Sequence, residues 1–91
     1  MHIFRRIVMS KKEKLLIKLF DRKKDFTWDE LVALLTGLGY NLLQGDGSRV
    51  KFFNQDLDSL IILHKPHPDH LVKGYVIKGL IEELEKKGIK P

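Results

Sequence analysis

Leu15, Leu16, Leu19 and Phe20 recur at helical spacing inside a lysine-rich stretch, with Ser10 ahead of them as an N-cap. That pattern predicts a first helix over about residues 11 to 22. A second start follows in "DFTWDEL", where Thr27 and Glu30 form a capping box and Phe26 can staple against Leu31. Leu31, Leu34, Leu35 and Leu38 continue at 3.6-residue spacing until Gly39, a residue suited to the position just past a helix end. After Gly39 the period changes to that of strands, over roughly residues 40 to 44, 49 to 54 and 59 to 65, divided by "GDGS" and "NQDLD". A closing helix over about residues 74 to 87 places Ile77, Leu80, Ile81 and Leu84 on one face, with Gly88 as its stop.

Short connections favour an antiparallel meander, so the order is an extra amino-terminal helix followed by α-β-β-β-α, an α+β domain with helices packed on one face of a three-stranded sheet. If the second turn spans residues 54 to 59, Val50 faces Leu63 and Phe52 faces Ile61 on the buried side. Lys51 then faces Ile62 and Arg49 faces His64 on the other. "LIIL", residues 60 to 63, is apolar on both sides of its strand. The sheet's second face therefore calls for partial cover, from the amino-terminal helix or from a partner protein.

Composition narrows the function. The 91 residues hold one small core, too little for a two-domain enzyme, and the absence of cysteine removes disulfide frameworks and thiolate metal sites. No apolar run reaches membrane-span length, and "MHIFRRIVMS" lacks the apolar region of a secretory signal, so a cytoplasmic location is expected. Met9 is a candidate for an alternative start. The formal charge of +5 is uneven: residues 1 to 24 carry nine Lys/Arg against two Asp/Glu, and residues 25 to 91 carry eight against ten. Binding to phosphate must then come from local segregation of cations, together with the basic segment over residues 1 to 24 that precedes the domain at 25 to 91.

Two stretches carry candidate chemistry. In "GDGSRVKF" a polar turn feeds a strand whose Arg49, Lys51 and Phe53 share one side. By itself this is a hairpin connection with a solvated face, but an aromatic among cations also suits base stacking beside phosphate contacts. In "HKPHPDH" His64, His67 and His70 fall within seven residues. Pro66 and Pro68 impose an extended path that spreads the imidazoles, so a zinc site is disfavoured and none is assigned. The stretch reads either as a rigid linker or as a source of histidines for proton transfer near neutral pH.

From Phe26 to Gly88 the chain resembles the HicA family of toxin-antitoxin ribonucleases. The resemblance rests on the helix ending in leucine-glycine, the "GDGS" turn into a strand, the "KPHP" segment after the third strand and the closing amphipathic helix. "KKEKLL" followed by "DFTWDELVALLTGLGY" is similar to a subgroup with an added amino-terminal helix. The resemblance implies a fold like that of double-stranded RNA-binding domains. It also implies an mRNA interferase without a cofactor and inhibition by a HicB-like antitoxin that covers the active face. It places the catalytic histidine directly after the "GS" of the turn, where this chain has Arg49, and it matches His67 to a downstream histidine-proline. Arginine stays protonated and cannot act as a general base, although it can stabilise a phosphorane.

The expected function is thus a toxin that binds and cleaves RNA. His67 and His64 are the candidates for proton transfer, Arg49 for the phosphorane, and Ser48, Arg49, Lys51, Phe53, Lys65 and Lys73 for RNA binding. Two other readings stay open: an RNA-binding module of the same fold without cleavage, and a protein-interaction domain.

Overall fold

The computed structural model describes residues 10–91; the opening segment, with Met9 as a candidate start, lies outside the described residues. The chain runs α1 (Lys11–Asp21), α2 (Trp28–Gly37), β1 (Asn41–Gln44), β2 (Arg49–Asn54), β3 (Ser59–His64) and α3 (Gly74–Lys86). This is the expected α+β order, with three antiparallel strands in the order β1-β2-β3. Both leading helices open on complete capping boxes: Glu13 N–H donates to Ser10 Oγ and Ser10 N–H to Glu13 Oε1, and Thr27 and Glu30 exchange the same pair. Each box satisfies N–H groups that would otherwise be orphaned at the helix start. Gly39, at φ 101°, takes the chain out of α2 and into β1.

The strand register is the one the alternation predicts, with Arg49 opposite His64, Val50 opposite Leu63, Lys51 opposite Ile62 and Phe52 opposite Ile61. Val50, Phe52 and Ile61 are buried beneath α2 and α3 together with Trp28, Leu31, Leu34, Leu35, Ile77, Leu80 and Leu84. A one-residue slip would drive this set into water, which is why the pairing is well specified. Trp28 and Phe52 meet edge to face, with ring centroids 5.9 Å apart.

Helix α1 packs on α2 and α3, and its Leu15, Leu16 and Leu19 join the same core. It does not cover the open sheet face, where Leu43, Leu60 and Ile62 are each about half exposed. Of the two sources of cover considered from the sequence, the amino-terminal helix is therefore excluded among the described residues. The physical reason is that α1's leucine stripe meets the apolar backs of the other two helices.

One polar chain crosses the core. The Tyr40 hydroxyl donates to Ser59 Oγ at 2.7 Å, and Ser59 Oγ donates to Glu83 Oε2 at 2.7 Å, tying the residue before β1 to β3 and α3. Burial pushes the Tyr40 phenol up from its ordinary value; the Glu83 carboxylate pushes the same way, and the bond to Ser59 partly opposes both.

Candidate functional site

The "GDGS" turn is built around Arg49. Gly45 N–H donates to the Arg49 carbonyl at 2.8 Å, and a Cβ on Gly45 would stand 3.1 Å from that oxygen and 3.2 Å from Arg49 Cδ. Glycine at 45 therefore gives the arginine stem room to lie across the turn. Gly47 is in the left-handed region at φ 61°, which suits a residue without a Cβ. Past the turn, Lys65 N–H donates to the Ser48 carbonyl at 2.8 Å, extending the β2–β3 pairing by one step. That extra step sets Ser48 beside His64, with Oγ 3.3 Å from Nδ1.

Beyond β3 the extended path expected of the two prolines does not run on: residues 67–69 form a bend that brings the chain back to the start of α2. The segment is held there. Trp28 N–H donates to the His70 carbonyl at 2.8 Å and Val72 N–H to the Phe26 carbonyl at 2.8 Å, forming an isolated antiparallel bridge of Thr27 with Leu71. Asp69 Oδ1 accepts from Leu71 N–H at 3.1 Å and shapes the bend before that bridge.

Between this segment, the start of α2 and the first turn of α3 lies a cleft of about 550 Å³. His64, Lys65, His67 and Lys73 line it, with Asp25 and Asp69 also on its wall and Trp28 and Val72 among its apolar residues. With neutral imidazoles the two lysines and two aspartates balance, so each histidine proton adds net positive charge to the cleft. Arg49 stands across the strand pair from His64.

The residues proposed from sequence thus fall into two neighbouring groups. His64, Lys65, His67 and Lys73 share the cleft, and Ser48 and Arg49 adjoin it through His64. Lys51 and Phe53 are outside it, on the open sheet face opposite Ile62 and Leu60. Among the described residues no three His, Cys, Asp or Glu side chains gather as a metal site. Sequence reasoning missed Tyr75, which lines the cleft and is 75% exposed on the first turn of α3. Its signal was an aromatic off the apolar stripe of an amphipathic helix.

The family model for the HicA toxin of bacterial toxin-antitoxin systems matches residues 28–86, from the first residue of α2 to the last of α3. The chain belongs to the HicA toxin family. No curated protein and no solved structure matches it. All the candidate residues lie within the HicA match, whereas α1 precedes it. The protein is accordingly a toxin of the toxin-antitoxin type, a class defined by pairing with an antitoxin. No helix among the described residues is long and apolar enough to cross a membrane.

Proposed function

We propose that this HicA protein is an endoribonuclease acting on messenger RNA, in which two histidines move protons and arginine takes the place of the histidine that the family resemblance implies after the turn. The observation that carries the reading is the meeting of His64 and His67 in one cleft with Lys65 and Lys73, while Arg49 is held opposite His64 by the strand register.

In this reaction one imidazole removes the proton from a ribose 2′-OH, and O2′ forms a bond to the adjacent phosphorus as the bond from phosphorus to O5′ breaks. The other imidazole gives O5′ its proton, leaving a 2′,3′-cyclic phosphate and a 5′-hydroxyl. Ser48 orients the acid: in the imidazolium form of His64, Nδ1–H donates to Ser48 Oγ, and the proton on Nε2 is the one given to the leaving oxygen. His67, also on the cleft wall, is then the base. Arg49 supplies two parallel donors and a fixed positive charge where charge builds on the phosphorane. Lys65 and Lys73 hold flanking phosphates, and Lys51, Phe53 and Ser48 extend the RNA contact over the turn and the open sheet face.

A HicB-like antitoxin fits that same open face, where the half-exposed Leu43, Leu60 and Ile62 lie beside Lys51. An acidic partner with apolar contacts satisfies both features.

The test is cleavage of a short RNA in the presence of EDTA. Cleavage should persist and leave cyclic phosphate ends, with a rate limb in the histidine pH range. His67→Ala and His64→Ala should each lose about 10²- to 10⁴-fold in rate, the usual span for general acid-base catalysis. If both variants cleave at the wild-type rate, the assignment is wrong. If the purified protein binds RNA and never cuts it, the chain is instead an RNA-binding module, the reading that Arg49 at the histidine position favours.

A further inference from the structure

We infer that the groove between β3 and α3 is a nucleobase subsite, with Tyr75 as its stacking platform; the inference rests on the ribonuclease reading and names where one base of the RNA is held. Tyr75 lines both the histidine cleft and a second, shallower hollow of about 300 Å³ that runs on between the edge strand and α3. The two hollows share Tyr75 and the neighbouring Val76 in their walls.

Two independent features point to a flat ligand on this ring. First, a tyrosine 75% exposed, off the buried stripe of Ile77, Leu80 and Leu84, contributes little to the core. Second, Gly79 follows one turn later on the same face, inside α3, where a Cβ would meet nothing within 4 Å. Glycine within a helix costs about 0.5–1 kcal/mol relative to alanine, and no crowding demands it here. A longer side chain at 79 would project back toward the ring of Tyr75, because helical side chains lean toward the N-terminus. Glycine keeps that ring uncovered.

Charge sets which part of a nucleotide goes where. At the cleft end Lys65 and Lys73 are balanced by Asp25 and Asp69, and Arg49 opposite His64 supplies the excess positive charge, to which each protonated histidine adds. The groove is apolar, lined by Leu60, Ile62 and Leu80 among others, and its one charged lining residue is Glu83 at the far end. Phosphate is therefore favoured in the cleft and disfavoured along the groove, whereas an uncharged aromatic base suits the groove. A base stacked on Tyr75 places its own phosphate at the cleft mouth.

The experiment measures binding of a short single-stranded oligoribonucleotide, 2′-O-methylated so that it cannot be cut, and of an abasic strand of the same length. Tyr75→Ala should weaken binding of the base-bearing strand about 5- to 150-fold, the range for loss of one aromatic-base stack, and leave the abasic strand unaffected. Tyr75→Phe should retain wild-type affinity. Gly79→Leu should weaken the base-bearing strand while thermal stability stays level or rises. Unchanged binding by Tyr75→Ala, when wild type does bind RNA, overturns the subsite alone. So does an equal loss on both strands, or a loss confined to binding of the antitoxin. If the wild-type protein binds neither strand, the ribonuclease reading falls and takes the subsite with it.

Discussion

Truncating Leu19 to alanine tests whether α1 is part of the folding unit, although it precedes the span shared with the HicA family. Leu19 is 1% exposed, and Leu15 and Leu16 are each 7% exposed, in a core shared with α2, α3 and the sheet. The change removes three carbons, worth roughly 2 to 2.5 kcal/mol at about 0.8 kcal/mol per buried carbon group. The cavity left behind adds to this, bringing the expected loss to about 2–5 kcal/mol. For a domain of this size each kcal/mol lowers the melting temperature by about 4–8 °C, so a fall of at least about 8 °C is expected. Ile17→Ala on the same helix is the control. Ile17 is 45% exposed, and its truncation should move stability by no more than about 0.5 kcal/mol. Urea melts with parallel slopes would measure both. RNA binding well below the transition should be unchanged in Leu19→Ala, because no α1 residue lines the cleft. If Leu19→Ala melts with wild type, α1 is an appendage and residues 25 to 91 hold the core alone.

Two further outcomes are expected. Burial opposes the charged form of Glu30, but the Lys18 ammonium at 2.6 Å and the Thr27 N–H outweigh it and hold the carboxyl below its ordinary value. The resulting stability is present above the unfolded-state pKa and is lost as pH falls through the lower folded-state pKa. Calorimetry should thus show a gap of less than about 1 kcal/mol between wild type and Lys18→Met at neutral pH, small because both side chains are partly solvated, that closes in acid. A gap unchanged across that range would contradict the pairing. A cognate antitoxin, titrated into labelled RNA bound to the toxin, should displace it; a ternary complex with undiminished RNA affinity would remove the proposed overlap of the two surfaces.

The elements and the register were legible in the sequence because their causes are local. Caps at Ser10 and Thr27, the glycine after α2 and the alternation in "RVKFF" act over a few residues, and a strand with one buried face has little freedom to slip. The same alternation sets Arg49 opposite His64. The site required more. Nothing local in "HKPHPDH" tells that its last residue bonds to Trp28, and Val72 just beyond it to Phe26, about forty residues earlier, yet those two hydrogen bonds position the wall that carries His67. The seat of α1 was equally hidden, since a leucine stripe specifies that a face be buried and not which surface buries it. The role of Tyr75 depends on a groove that exists only once α3 lies beside β3. Periodicity determines which residues turn inward, and only the long-range packing, whose energy is spread over many non-directional contacts, decides what they meet.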